Sequence, residues 1–180
     1  VALLRMSKRR IISAPISLYI LVMRGTPLML QLFAVYFAIP MFLGVNLDRM
    51  SATVLAFALN YAAYFAEIFR GGMMSIPVGQ HEACQVLGLS KMQSFFHIVL
   101  PQLIKRVLLP VSNEVITLVK DTALARALSV VEIIAIAYEK VNKYAVLTPL
   151  LYAGLFYLAF SGLLTLLFHF LEKKLSYYSV

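Results

Sequence analysis

The residues best placed to do chemistry in this sequence are ionisable and amide side chains inside long apolar segments. Glu114 is the clearest of them, since it follows Asn113 and lies four residues after Pro110 in an otherwise apolar stretch. An ionisable side chain at membrane depth is costly and usually faces a cavity or a partner. A proline nearby removes a backbone hydrogen bond and can leave carbonyl groups free to line that cavity. We therefore predict that Glu114 and Asn113 lie on a pathway for a polar ligand, whose ammonium group the carboxylate could receive.

Four more polar side chains occupy comparable depth in two other apolar segments. Asn60, Tyr61 and Tyr64 lie in one of these segments, and Gln31 lies in the other. We predict that they lie on the same pathway, where amide donors could hold a ligand carboxylate. Polar side chains of this kind also hydrogen-bond neighbouring helices together in membranes. The sequence leaves both roles open.

The residue types and their spacing give little support for a disulfide, a metal site or a nucleotide-binding site. Cys84 is the only cysteine, so no disulfide can form within the chain. His81 and His97 lack the spacing of metal ligands, and we expect no metal site. The sequence has neither a phosphate-binding glycine loop nor its lysine. We therefore expect no catalytic residues and no cofactor held by this chain.

The elements that position these side chains follow from the composition. The chain is 62% hydrophobic and only 13% charged, whereas a soluble domain averages about half apolar and about a quarter charged. The net charge of +8 comes from basic residues scattered at the ends of apolar segments, which favours membrane topology over nucleic-acid binding. The composition indicates an integral membrane protein.

We predict an all-α helical bundle that forms a single domain over residues 1–180. The apolar runs predict four spans over residues 25–47, 51–69, 102–120 and 144–168, each long enough to approach the about 30 Å thickness of the hydrocarbon. Residues 121–143 alternate polar and apolar positions at helical spacing, which predicts one interfacial helix. In that helix Leu128 and Tyr138 would share one face, with Arg126 away from it.

Residues 78–100, between the second and third predicted spans, are polar and read as two short helices joined by a tight turn; we call them the polar hairpin. Pro77 and Gly79 are expected to end the preceding helix. The next helix then begins with Glu82 near its N-terminus, where the helix dipole favours a carboxylate.

Local signals also predict the turn and the second helix of the polar hairpin. Gly88 can adopt the left-handed conformation that closes a helix, and Leu89 can supply the accompanying hydrophobic contact. Ser90 and Gln93 predict a capping box that opens the second helix, which we expect to end by Pro101. Such a hairpin between spans is typical of a docking surface.

This segment resembles the cytoplasmic EAA loop of permease subunits from binding-protein-dependent ABC importers. The family pattern is E-A-A, three residues, G, nine residues and I-x-L-P, and the matching residues are Glu82, Ala83, Gly88, Ile98, Leu100 and Pro101. Cys84 departs from the pattern at the second alanine, and it is also small and apolar. The resemblance implies that the loop over residues 82–101 docks on an ATPase subunit through Glu82, Ala83, Cys84, Gly88 and Leu89.

Residues 24–31, 63–72, 113–114 and 120–124 resemble the polar amino acid branch of this family. The resemblance implies a permease subunit of the bacterial inner membrane that forms the pathway of an ATP-driven importer for polar amino acids. The implied partners are ABC ATPase subunits that carry ATP and Mg, a second permease subunit (identical or sister), and an extracytoplasmic amino-acid-binding protein. Since permeases of this branch typically have five spans, we also expect the first span to be missing from this sequence.

The distribution of Lys and Arg predicts the orientation. Of the sixteen such residues, all but Arg24 divide into ten on the side of the polar hairpin and five on the other: Arg5, Lys8, Arg9, Arg10, Arg70, Lys91, Lys105, Arg106, Lys173 and Lys174 against Arg49, Lys120, Arg126, Lys140 and Lys143. Because positive residues accumulate on the cytoplasmic side, the polar hairpin is predicted to be cytoplasmic.

Three other functions stay open at this level. The chain could serve an ABC importer for another small polar nutrient, or act as an ion-coupled secondary transporter with Glu114 as the ion site. It could also be a membrane scaffold subunit without a substrate path. The polar hairpin argues against the last two functions, since neither of them needs a surface that docks on an ATPase.

Overall fold

A computed structural model of the protein describes residues 1–7 and 9–175, so Lys8 of the basic cluster lies outside the described residues. The α-helices are α1 (Ala2–Arg5), α2 (Arg10–Gly25), α3 (Leu28–Phe33), α4 (Ile39–Leu43), α5 (Arg49–Met74), α6 (Val78–Val86), α7 (Lys91–Gln93), α8 (Leu100–Asp121), α9 (Ile133–Tyr144) and α10 (Thr148–Leu175). Two π-helical segments, Ala34–Ala38 and Ser94–Val99, and a 3₁₀ helix, Thr122–Leu128, connect some of them. The described part of the chain contains no β-strand, so the all-α prediction is confirmed.

Three helical stretches are long and apolar enough to cross a membrane: Arg49–Met74, Lys91–Leu128 and Thr148–Leu175. The predicted spans over residues 51–69 and 102–120 lie inside the first two stretches, and the last predicted span begins slightly later than expected, at Thr148. A fourth span is reached only when α2 and the helix over Leu28–Leu43 are taken together.

The predicted span over residues 25–47 is present as the shorter helical segment Leu28–Leu43, and the sharp bend that precedes this segment was not predicted. Helices α2 and α3–α4 meet at 114° across Thr26 and Pro27. Pro27 has no N–H for the helix and favours an extended conformation at the residue before it, and Thr26 is extended with φ −120° and ψ 148°. Gly44 then closes α4 with φ 65°. Helix α2 and the helical segment Leu28–Leu43 therefore form a bent pair, with the bend at the beginning of the predicted span.

The predicted single helix over residues 121–143 is wrong. Ser129 adopts a left-handed conformation with φ 58°, and Glu132 begins α9 by accepting hydrogen bonds from the N–H groups of Ile134 and Ala135 at 2.6 and 2.5 Å. Because the direction of the chain changes at this break, the Arg126 guanidinium lies 3.9 Å from the centre of the Tyr138 ring. Arg126 and Tyr138, which helical periodicity predicted to lie on different faces of one helix, are therefore in contact.

Helix α5 is the centre of the bundle, and its small residues let other helices approach closely. Ala63 and Ala66 pack against Ile20 of α2, while Ala52 and Ala56 pack against Leu32 of α3 and Leu128. Close approach of this kind is the usual basis of helix packing in membranes. Asp48 caps α5, and hydrogen bonds from Ser51 and Met50 hold the pKa of its carboxyl below the usual range.

Helix α8 packs against the other end of α5 at Gly72. A Cβ atom on Gly72 would lie 2.9 Å from Leu103 Cδ1 and closer still to Val107 Cγ1. These two residues belong to a buried cluster with Ile76 and Val99 at the base of the polar hairpin. The α5–α8 contact therefore requires glycine at this position.

Candidate functional site

Helices α5 and α8 and the end of α2 line an open cavity of about 420 Å³, which we call the α5–α8 cavity. The polar and charged residues that line it are Arg24, Tyr64, Glu67, Arg106 and Glu114, and Pro110 lies among them. Ligand sites of small molecules commonly have volumes of roughly 300–1,000 Å³. The cavity is therefore large enough for a small polar molecule.

Helical periodicity places these side chains on facing surfaces. Arg106, Pro110 and Glu114 follow one another at intervals of four residues on α8, and Tyr64 and Glu67 lie on one face of α5. Gly71 also lines the cavity, and no atom lies within 4 Å of the position that its Cβ would take. Its missing side chain leaves room between the two helices.

Two of the four charged side chains in the cavity already have hydrogen-bond partners. Both carboxylate oxygens of Glu67 accept from the single N–H of Arg70 Nε, at 2.5 and 2.8 Å, as the three-residue spacing permits. Arg106 donates to the Ser75 carbonyl oxygen. Within residues 1–7 and 9–175, Arg24, Arg106 and Glu114 form no ion pair, and Arg106 Nε is buried without a hydrogen-bond partner.

The Arg24 guanidinium lies 5.3 Å from the centre of the Tyr64 ring. A second cavity of about 450 Å³ shares three lining residues with the first, Arg24, Tyr64 and Glu67. Arg24 therefore lines both cavities.

Gln31 and Asn60 hold the bend between α2 and α3 and do not line the α5–α8 cavity. Asn60 Nδ2 donates to Gln31 Oε1 at 2.9 Å and to the Met23 carbonyl at 3.2 Å. Gln31 Nε2 donates to the carbonyl oxygens of Met23 and Thr26, at 2.9 and 3.0 Å, and to Thr26 Oγ1 at 2.9 Å. These bonds satisfy carbonyl groups that the end of α2 leaves without helical partners.

The structure brings together two of the six predicted pathway residues, Tyr64 and Glu114, and leaves the others outside the cavity. Tyr61 is buried, and its hydroxyl donates to Asp121 Oδ2 at 2.7 Å. Asn113 is exposed, and because it directly precedes Glu114 in the helix its side chain lies on a different face of α8.

Sequence reasoning did not select Arg24 and Arg106 as site residues. Arg106 could have been found from its spacing to Pro110 and Glu114 on one helical face. Arg24 directly precedes the Gly25-Thr26-Pro27 break, and a charged residue at the break of an apolar segment is itself a signal.

The polar hairpin folds mostly as its local signals predict. Gly88 is left-handed with φ 68°, and the N–H groups of Gly88 and Leu89 bond to the carbonyls of Gln85 and Cys84, both at 3.0 Å. These are the two bonds of a Schellman motif. The capping box of Ser90 and Gln93 is also present. Two short helices joined by a tight turn are therefore confirmed.

Two details of the polar hairpin differ from the prediction. Helix α6 begins at Val78, so Gly79 lies inside it and Glu82 lies beyond its first turn. The second helix does not end by Pro101, because the wider π turn of Ser94–Val99 continues it into α8. In that turn the Leu100 N–H bonds to the Phe95 carbonyl, and Pro101 follows directly after it.

The exposed surface of the polar hairpin includes most of the predicted docking residues. Glu82, Ala83 and Gly88 are exposed, Leu89 is half-buried, and Cys84 is buried beneath them. Val86 and Leu87 are 87% and 75% exposed, which places apolar side chains on the same surface. Gln102 of α8 donates to Gln80 of α6 at 3.3 Å and ties the hairpin to the helix that carries Glu114.

Comparisons with known proteins agree on one family. The model of the family described as "Binding-protein-dependent transport system inner membrane component" matches residues 1–177. The chain is 38% identical to the L-cystine transport system permease protein TcyB of Bacillus subtilis (strain 168), over 98% of this chain and 76% of that protein. It is 39% identical to the arginine transport system permease protein ArtQ of the same organism, over 87% of this chain and 72% of that protein.

A solved structure has the same fold. It is described as an amino acid ABC transporter with histidines, and it superposes with a TM-score of 0.86 at 31% identity. The match covers 96% of this chain and 81% of that one.

Proposed function

This chain belongs to the family of binding-protein-dependent transport system inner membrane components, and we propose that it is the permease subunit of an ATP-driven importer of polar amino acids. Family membership makes it a multi-pass transport subunit of the bacterial inner membrane. The amino acid substrate is supported by its relatives, which include transport system permeases for L-cystine and arginine.

The observation that carries this proposal is the α5–α8 cavity, which lies between the helices that continue into the polar hairpin. Glu114 lines it, and the same helix, α8, is bonded to α6 of the hairpin through Gln102. A carboxylate without an ion pair at this depth suits a substrate ammonium group. We assign Glu114 this role, with Tyr64 as part of the wall.

The other predicted pathway residues have supporting roles in this proposal. Gln31 and Asn60 keep the α2 end, and with it Arg24, in place at the cavity. Tyr61 links α5 to Asp121 at the far end of α8. Asn113 is exposed, and it would meet the substrate on the part of the pathway that a second permease subunit completes.

We further propose that the polar hairpin docks on an ABC ATPase subunit, which binds ATP and Mg. Glu82, Ala83, Gly88 and the exposed apolar Leu87 would form the contact, while Cys84 and Leu89 support the turn from below. Closure of two ATPase subunits around ATP would move the hairpins, and α8 would carry that movement to the cavity. An extracytoplasmic binding protein would deliver the amino acid to the outward-facing state.

The test is uptake by vesicles that contain the permease, its ATPase and the delivery protein. Radiolabelled L-cystine, L-arginine and L-glutamine would be supplied with and without ATP. We expect ATP-dependent uptake of at least one of them, and a loss of about tenfold or more in Glu114→Gln, because a hydrogen bond to a charged group contributes roughly 1.5–3 kcal/mol. Glu139→Gln, the same change at an exposed residue of α9, is the matched control.

Two results would contradict the proposal in different ways. Unchanged uptake in Glu114→Gln would remove Glu114 from the pathway and leave the transport function in place. Uptake that follows an ion gradient without ATP would identify a secondary transporter instead.

A further inference from the structure

We propose that Arg106 is a positioning residue that changes its partner during transport. In this structure it holds the Ser75 carbonyl, and it pairs with the Glu67 carboxylate when the α5–α8 cavity closes at the end nearest the polar hairpin. This inference rests on the proposed function. It gives Arg106 no contact with the substrate, and it names the side chain through which a displacement of the hairpin reaches the cavity.

The present contact of Arg106 lies where α5 ends and the polar hairpin begins. Its Nη1 donates to the carbonyl oxygen of Ser75, which caps the C-terminus of α5 two residues before Pro77, the N-cap of α6. One turn earlier on α8, Gln102 donates to Gln80 of α6 at 3.3 Å. Because side chains four residues apart share one face of a helix, this face of α8 contacts both the end of α5 and the first helix of the hairpin. Arg106 also lines the cavity.

This contact leaves the Arg106 guanidinium incompletely bonded. Its Nε is buried and has no hydrogen-bond partner, and Arg106 forms no ion pair within residues 1–7 and 9–175. A buried charged donor without a partner is costly, and native structures satisfy nearly all such groups. A second state of the transport cycle that supplies an acceptor explains why the sequence keeps this group.

The packing of α5 against α8 fixes the level at which Arg106 stands. A Cβ atom on Gly72 would meet the side chains of Leu103 and Val107, which lie one turn apart on α8. Arg106 lies between these two residues in the chain, so its backbone stands beside Gly71 and Gly72 of α5.

The acceptor in the second state is Glu67, on the opposite side of this level from Ser75. Glu67, Gly71 and Ser75 follow one another at intervals of four residues on α5, and all three line the cavity. Ser75 and Glu67 therefore lie about one helical turn, roughly 5 Å, to either side of Arg106. Open space surrounds the position that a Cβ atom on Gly71 would take. The Arg106 side chain can therefore pass from one partner to the other.

Glu67 can accept from Arg106 without losing its present partner. Both of its carboxylate oxygens share the single N–H of Arg70 Nε, which leaves lone pairs for further donors. A hydrogen bond from a guanidinium to a carboxylate is stronger than one to a neutral carbonyl. Glu114 is the poorer acceptor, because it lies eight residues from Arg106 on α8 itself, about 12 Å along the helix.

The two partners give the cavity two shapes. Bonded to Ser75, Arg106 fastens α8 to the end of α5 and leaves the cavity open. Bonded to Glu67, it bridges α5 and α8 across the open space at Gly71. A displacement of the hairpin that moves Ser75 away releases the guanidinium and favours the second pairing. Arg106 therefore closes the hairpin end of the cavity when the ATPase subunits close.

The experiment measures proximity in vesicles that contain the permease, its ATPase and the delivery protein. One cysteine pair is Glu67→Cys with Arg106→Cys, and the matched pair is Ser75→Cys with Arg106→Cys. A short bismaleimide crosslinks each pair without nucleotide and after the ATPase is trapped with ATP and vanadate. The buried Cys84 stays in place, and mass spectrometry of the crosslinked peptides identifies which cysteines have reacted.

We expect the pair at 75 and 106 to react faster without nucleotide, and the pair at 67 and 106 to react faster in the trapped state. In uptake assays, Arg106→Gln should retain ATP hydrolysis and lose about tenfold or more in the amino acid taken up per ATP, because it cannot form the charged pair. Arg106→Lys keeps the charge and should lie between this variant and the parent. Arg49→Gln, an exposed control at the start of α5, should match the parent.

The exchange of partners is overturned if the two cysteine pairs keep the same order of reaction in both states. It is also overturned if Arg106→Gln takes up as much amino acid per ATP as the parent does, since a purely structural role lowers stability without changing this ratio. Thermal unfolding shows whether each variant is assembled. If a cysteine pair is not, the comparison of Arg106→Gln with Arg106→Lys decides, and equal uptake per ATP in these two variants would overturn the proposal.

These results leave ATP-driven uptake by the parent intact, so they separate this inference from the proposed function. A parent complex that takes up none of L-cystine, L-arginine and L-glutamine with ATP would overturn both together.

Discussion

At the scale of single residues, the amides of Asn60 and Gln31 stabilise a bend. Asn60 is 4% exposed, and it joins the Met23 carbonyl at the end of α2 to Gln31 on α3. We expect Asn60→Ala to lower the free energy of unfolding by about 1–3 kcal/mol, because buried partners lose their hydrogen bonds. Thermal unfolding in detergent measures the change, with the exposed amide in Asn113→Ala as the control.

A double-mutant cycle tests whether the two amides act as one unit. The double variant Asn60→Ala with Gln31→Ala should lose less stability than the sum of the two single changes, since both remove the same bond. Strict additivity would mean that each amide acts alone.

Two neighbouring glycines provide a second comparison at this scale. We expect Gly72→Ala to destabilise the protein by about 1–3 kcal/mol, because the added methyl group overlaps Leu103 and Val107 of α8. Gly71→Ala meets no atom within 4 Å and should retain or slightly raise stability, because alanine favours helix. Equal effects of the two changes, measured by thermal unfolding, would contradict the close α5–α8 contact.

At the scale of elements, the polar hairpin depends on the left-handed conformation of Gly88. A side chain in this conformation costs about 1–2 kcal/mol, so Gly88→Val should distort the turn between α6 and α7. We expect this variant to lose coupled ATP hydrolysis and uptake in reconstituted vesicles. Gly79→Ala, in the same hairpin but inside α6 and with open space around it, should couple normally. Normal coupling in Gly88→Val would contradict docking through this turn.

The π turn of Ser94–Val99 is the element that makes α7 and α8 one helix. It carries the chain past Pro101 without a break, and the buried residues Val99 and Leu103 on either side belong to one cluster. A displacement of the polar hairpin would therefore act directly on the helix that carries Arg106 and Glu114.

At the scale of the whole molecule, the distribution of Lys and Arg makes a prediction about topology. With Cys84 replaced by Ala, single cysteines at Gln85 and Val146, both exposed, should react with a membrane-impermeant thiol reagent from opposite sides. We expect Gln85→Cys to react in inside-out vesicles and Val146→Cys in right-side-out vesicles. Labelling of both cysteines from one side would contradict the predicted orientation.

The sequence by itself determined the features that rest on local chemistry. Long apolar runs specify membrane helices, because each must bury its backbone hydrogen bonds within the segment. The turn at Gly88 and the capping box of Ser90 and Gln93 follow from bonds between residues close in the chain. The bend between α2 and α3 did not follow, since the effect of Pro27 depends on what receives the carbonyl groups freed at the end of α2.

Only the tertiary structure decided which side chains meet. Asn60 and Gln31 occupy the depth expected of pathway residues, yet they bond to the end of α2, while Arg24 from that end reaches the cavity of Glu114. Arg126 and Tyr138 are in contact across a break that periodicity did not reveal. Residues distant in the chain become neighbours through the angles at which helices bend and pack, and those angles are set by contacts among all the helices together.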